Sequence, residues 1–232
     1  MFKKVISNNN IPIHELTAIS VCLAVVGGFL DAYTYIFRGG VFANAQTGNM
    51  VLLGITLANR NFLKAVYYLV PISAFFFGIL FTEFLKRRFS DNDFDNWQHI
   101  SLSIELVLLI VVGFLPEQMP DAVVNVMVSF VCSMQVNSFR KVKGSPYTST
   151  MCTGNLRSAT EQLGLYIFDK NPDAAIKSLR YFLIIFAFCS GAVLGTLLTN
   201  RWEGKSVFFC CFMLFGVLCI MLWDKRKKRL NK

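Results

Sequence analysis

Two tripeptides carry polar chemistry into a strongly apolar chain. Thr47-Gly48-Asn49 stands in "FANAQTGNMVLLG" and Thr153-Gly154-Asn155 in "STMCTGNLRSATEQLG". Each comes just before a short apolar stretch, Met50 to Leu57 and Leu156 to Phe168. Such a segment reads as the start of a helix. Thr or Asn caps free backbone N–H groups, and Gly permits a tight turn or close approach. A helix that begins inside the lipid aims its positive dipole end and its unpaired donors at that point. Two such ends meeting near the membrane midplane suit an anion, a carboxylate or a polar neutral solute. The plainer alternative is a pair of capped turns with no ligand.

Asp31, in "GGFLDAYTYIF", lies well inside the first apolar span. A carboxylate at that depth costs several kcal/mol unless it is paired or hydrated, so it is a functional candidate by default. It can serve as a proton-coupling group, a cation ligand or the partner of an N–H cluster at a TGN start; the alternative is a structural cap for the short helix. Tyr33 is placed with it in the candidate binding set. Gln135 and Asn137, in "SMQVNSF", hold the equivalent place in the second half. They cannot titrate, so any proton coupling rests on Asp31. Arg157 stands where the first half has Val51. It either holds an anionic group, pairs with Glu161 one turn on, or snorkels to water. Glu83, one turn before Lys86-Arg87-Arg88, reads as interfacial, and Phe-rich runs such as "AFFFG" as lipid or core contacts.

Enzyme chemistry finds no support. There is no Ser/His/Asp set, phosphate loop or dinucleotide fingerprint. The seven cysteines lie mostly in apolar segments, with no CxxC pair and no Cys/His ligand spacing, so neither a metal nor a cofactor is expected. They read as small buried hydrophobes.

The elements that must position these residues follow from composition. The 232 residues are 54% hydrophobic and only 16% charged, against about 25% charged in soluble domains. That predicts an all-α polytopic membrane protein with a single membrane domain over residues 1–232. Six segments are long enough to cross: Ala18 to Phe37, Val66 to Leu85, Ile100 to Leu115, Val123 to Phe139, Leu179 to Thr199, and Val207 to Trp223. The N-terminus lacks the features of a cleaved signal peptide, so the first span is expected to remain. The net charge of +9 does not indicate nucleic acid, because six cations crowd into "KRKKRLNK" directly after the last span. Flanking cations of that kind meet anionic lipid headgroups.

Cation placement decides the path of the two short stretches, since cytoplasmic loops are enriched in Lys and Arg. If both stretches dip in and return on the same side, Lys3, Lys4, Lys86 to Arg88, Arg140 to Lys143, Arg157, Lys170, Lys177, Arg180 and the tail 225–232 all face the cytoplasm. Only Arg38, Arg60, Lys64, Arg201 and Lys205 remain outside. Both termini are then cytoplasmic. Internal similarity agrees. "KAVYYLVPISAFFFGILFTEFLKRRF" from Lys64 aligns without a gap with "KSLRYFLIIFAFCSGAVLGTLLTNRW" from Lys177, matching Tyr68 with Tyr181 and Gly78 with Gly191. The expected architecture is six spanning helices plus two re-entrant half-helices. They form a 3+3 inverted repeat, residues 16–116 and 121–224, of the kind common in transporters. Gly27-Gly28, Ala74-xxx-Gly78 and Gly191-xxx-Gly195 read as close helix contacts, and Pro71 as a kink.

The series Gly28, Asp31, Gly40, Phe42, Thr47, Gly48 and Asn49 resembles the YoaK-like family of bacterial membrane proteins, a domain of unknown function. The resemblance covers nearly the whole chain. It implies residence in the bacterial cytoplasmic membrane and no established substrate. The functional expectation is a small-solute transporter or channel, its site between the two TGN starts with Asp31. The second class is a non-transporting scaffold or lipid-interacting protein that engages anionic lipid through its tail. The solute and any homo-oligomer stay open. A continuous polar cavity reaching Asp31 favours transport; a dry interior with Asp31 sealed by backbone donors favours a scaffold.

Overall fold

The computed structural model of the chain describes residues 12–89 and 96–230. Lys3, Lys4, Lys232 and the connection at 90–95, which bear on the charge argument, lie outside the described residues. Within them the chain forms α1 (Thr17–Phe37), α2 (Gln46–Ala58), α3 (Phe62–Phe89), α4 (Asn96–Phe114), α5 (Asp121–Ser138), α6 (Cys152–Asp169), α7 (Pro172–Trp202) and α8 (Phe208–Leu230). A small hairpin, β1 (Lys141–Val142) and β2 (Ser145–Pro146), joins α5 to α6.

This is an all-α membrane protein. Thr17–Phe37, Phe62–Phe89, Trp97–Phe114 and the stretch Pro172–Lys227, which holds α7 and most of α8, are long and apolar enough to cross a membrane. The expected span Val123 to Phe139 is not among them. The reason is visible in α5 itself: Asn125, Ser129, Ser133, Gln135, Asn137 and Ser138 lower its hydropathy. All six are buried, so their polar atoms face protein rather than lipid. α8 continues to Leu230, so the segment foreseen as a tail at 225–232 is helical as far as that residue.

Packing pairs the elements across the chain. α1 lies mainly on α7, and α3 on α5. α2 lies on α3, and α6 on α7. α4 packs on α5 and α8, and α8 also touches α1. Small residues set the closest approaches, as expected for helices in lipid. A Cβ at Gly28 would fall 2.0 Å from the Phe188 carbonyl oxygen, and one at Gly191 would fall 2.1 Å from that of Val25. Backbone thus meets backbone between α1 and α7. Gly78 does the same for α3, facing Ser133 and the Phe130 carbonyl of α5.

The dry core sits among α1, α4, α5 and α8, around Leu23, Phe29, Leu102, Leu109, Val128 and Leu214. A second cluster joins α1, α6 and α7 to the hairpin through Ala24, Ala159, Ile184 and Val142. The hairpin turn uses left-handed φ at Lys143 and Gly144, 47° and 76°, the conformation a two-residue turn of this kind requires. Both turn amides are fixed: Lys143 N donates to the Glu15 carbonyl at 2.9 Å, and Gly144 N to Glu15 Oε2 at 2.7 Å.

Candidate functional site

The two tripeptides occupy the first turns of α2 and α6, inside the helices rather than ahead of them. The N-cap residues are Ala45 and Met151, and neither makes a side-chain cap. Asn49 and Asn155 instead reach back to the loops that lead in. Asn49 Nδ2 donates to the Phe42 carbonyl at 2.7 Å and its Oδ1 accepts from Phe42 N at 3.1 Å. Asn155 Nδ2 donates to the Thr148 carbonyl at 2.6 Å and its Oδ1 accepts from Thr148 N at 3.2 Å. The capping expectation is corrected accordingly: each Asn closes its lead-in loop by copying a backbone pairing. Gln46 extends the first network, accepting from Asn49 Nδ2 at 2.9 Å and donating to the Ala43 carbonyl at 2.8 Å.

Asp31 projects from α1 into the first lead-in loop and is 6% exposed. Its Oδ1 accepts from Asn44 N at 2.7 Å, so the first lead-in loop turns a backbone donor onto the protein's own acid. Asn44 also donates to the Gly27 carbonyl at 3.1 Å, which binds the loop to α1 twice.

A cavity of about 880 Å³ opens where these pieces meet. Asp31 and Tyr35 of α1, Asn44, Gln46 and Thr47 at the start of α2, and Thr150, Cys152 and Thr153 at the start of α6 line it. Ile72, Phe75, Phe76 and Ile79 of α3 face Phe188, Ala192 and Thr196 of α7 across it. Both helix starts therefore reach one space, and the lining is mainly apolar. Phe75 and Phe76, read from the sequence as lipid or core contacts, belong to its wall. Tyr35 stacks on Phe42 with ring centroids 4.7 Å apart, closing one end.

Not every expected site residue is there. Tyr33 is fully buried, and its hydroxyl accepts from Arg38 Nε at 3.3 Å. Gln135 Nε2 donates to the Leu23 carbonyl at 3.0 Å and to Ser149 Oγ at 3.2 Å, tying α5 to α1 and to the second lead-in loop. Asn137 donates to Glu83 Oε1 at 3.0 Å, so Glu83, expected at the interface, is an α3 partner of α5. Gly48 packs against the Phe42 ring, while Gly154 faces open space. Arg157 is exposed and pairs with Glu161 at 2.8 Å, one of the arrangements foreseen. Of the candidates, Asp31, Thr47 and Thr153 line the cavity; Asn49 and Asn155 shape it from behind.

Sequence reasoning missed Asn44, Gln46, Arg38 and Glu105. Asn44 and Gln46 carry a faint signal, two amides within "ANAQTGN". Arg38, only 1% exposed, gives no local sign of its partners. Its Nη1 lies 3.5 Å from Asp121 Oδ1, and its carbonyl accepts from Asn125 Nδ2 at 2.8 Å and Tyr67 Oη at 3.0 Å.

The chain is similar to the UPF0700 transmembrane protein YoaK of Bacillus subtilis (strain 168), with 22% identity over 201 residues, 84% of this chain and 89% of that protein. No solved structure matches it. Residues 19–221, spanning α1 to α8 and both TGN starts, match the family described as protein of unknown function, DUF1275. The YoaK-like resemblance is thereby borne out, and the chain belongs to the DUF1275 family.

Proposed function

We propose that the protein is a transporter or channel for a small solute, which occupies the cavity between the starts of α2 and α6. The observation that carries this is a single space of about 880 Å³ that touches both helix starts and Asp31. Small-molecule sites are concave and mostly apolar, with a few placed polar groups, and range over about 300–1,000 Å³. The lining favours an amphipathic solute: aromatic and aliphatic walls from α1, α3 and α7, with a polar end at Asn44, Gln46, Thr47 and Thr153. An anion drawn to the Asn44 amide is disfavoured, because Asp31 already accepts from it.

In this proposal six helices cross, and α2 and α6 are re-entrant. With 13 residues, α2 extends about 20 Å, short of the ~30 Å hydrocarbon layer. The packing supports an inverted repeat: α1 on α7 answers α5 on α3, α2 on α3 answers α6 on α7, and α8 on α1 answers α4 on α5. The matched loop closures by Asn49 and Asn155 support it too. The bacterial cytoplasmic membrane, both termini inside, anionic lipid at the basic end of α8, and a non-enzymatic role complete the proposal.

A second reading, a scaffold with no cargo, is favoured by the closure of the Asn44 amide onto the buried Asp31. Solute uptake into proteoliposomes separates the two. A panel of small amphipathic solutes is compared between the wild type and Ala192→Phe, which fills the cavity from α7. Uptake that falls at least tenfold in the variant supports transport; no uptake of any solute, or uptake unaltered by the filling, rejects the assigned site.

A further inference from the structure

Glu105 lies in the middle of α4, fully buried, in a part of the bundle that the cavity does not reach. Gln98, Ser101 and Glu105 recur at helical spacing, so they share one face of α4, and that face is turned inward: all three are buried. Ser101 Oγ donates to Glu105 Oε1 at 3.1 Å, and Ser138 Oγ of α5 donates to Ser101 Oγ at 2.7 Å. Glu105 Oε2 is buried with no hydrogen-bond partner. Among the described residues no cation pairs with this carboxylate, whereas Asp121 and Glu161 each have an arginine. The surroundings are apolar: Leu102 and Leu109 of α4 and Leu214 of α8 belong to the same cluster.

The groups that face it can be named element by element. On α5 it is Ser138, whose hydroxyl reaches Ser101; the Cys132 thiol of α5 and the Cys210 thiol of α8 are buried in the same apolar cluster as Leu102 and Leu109. His99 of α4 lies on another face, in a groove with Ser103 and Val107. An ionised carboxylate facing one hydroxyl and no cation is costly to bury, whereas its neutral acid is not.

We propose that Glu105 is a proton-binding site within the membrane, linked to the Arg140 end of α5 through Ser101 and Ser138. In the binding step Ser101 passes its hydroxyl proton to Oε1 as it accepts one from Ser138. The carboxylate becomes a carboxylic acid, and Ser138 is reprotonated by solvent water at the exposed Arg140 end of α5. That the proton serves solute movement rests on the transport proposal; that the site holds a proton does not.

The test is infrared spectroscopy of the purified protein in neutral-lipid nanodiscs, titrated with protons alone. The wild type is expected to show the carbonyl band of a protonated carboxyl group at neutral pH. Glu105→Gln, which keeps size and the hydrogen bond from Ser101, is expected to lose it, while Asp31→Asn retains it. A wild type without the band, or a band that survives in Glu105→Gln, overturns the proposal. If that variant fails to fold, isotopic labelling of glutamate in the wild type decides: a shifted band supports the site and an unshifted one overturns it. No solute enters the measurement, so failure of the transport proposal leaves its outcome standing.

Discussion

Asn49 and Asn155 do the same work in two places: each replaces a missing backbone partnership in the loop seven residues upstream. Buried amides that satisfy both a donor and an acceptor are expensive to remove. Asn49→Ala and Asn155→Ala should each destabilise the fold by about 1–3 kcal/mol. Thr160→Ala, whose hydroxyl bonds only to the Leu156 carbonyl of its own helix, should stay within about 0.5 kcal/mol. Thermal unfolding in detergent measures all three, and a wide gap between the two Asn variants would contradict equivalent roles. Asp31→Asn keeps the shape but gives the Asn44 amide a neutral oxygen in place of a carboxylate, so a loss of about 2 kcal/mol is expected in the same assay. The importance of these residues was legible, because polar side chains set in apolar sequence are costly in lipid unless they satisfy one another or the backbone. Their partners were not legible. The bond from Asn44 N to Asp31 depends on the path of residues 43–45, which no periodicity specifies. Glu105 sits alone in "SLSIELVLLIVVG", and the hydroxyl that completes its relay comes from another helix.

Among the elements, long apolar helices are the easy part of such a chain, since the bilayer demands both length and hydropathy. α1, α3, α4 and α7 were legible to within a turn or two at their ends. α5 hid its burial behind six polar residues, whose role only the neighbouring helices reveal. Small residues proved a good guide to which helices touch. Gly28→Ala would push a methyl group against the backbone of α7, and a cost of about 3 kcal/mol or more is expected for an overpacked contact. Gly216→Ala faces open space on α8 and should stabilise by up to about 1 kcal/mol, because Ala is the better helix former. Opposite signs in one detergent unfolding series would establish that the α1–α7 seam, and not helix propensity, governs the first position.

For the molecule as a whole, the decisive question is which side of the bilayer each end of α2 and α6 meets. Asn59→Cys, after α2, and Asp169→Cys, at the end of α6, are both exposed positions. In a background with the native cysteines replaced, an impermeant thiol reagent is expected to label them from opposite compartments. Labelling of both from one compartment would discard the inverted architecture. The seam between the halves has a further consequence for biosynthesis. The helices on which α1 packs are α5, α7 and α8, all from the C-terminal half. α1 therefore leaves the ribosome before the three helices it packs on and must wait for them while the chain that follows it is made. A chain cut short before α7 is left as a quality-control substrate, whereas two separately translated halves that meet in the membrane can still complete each other.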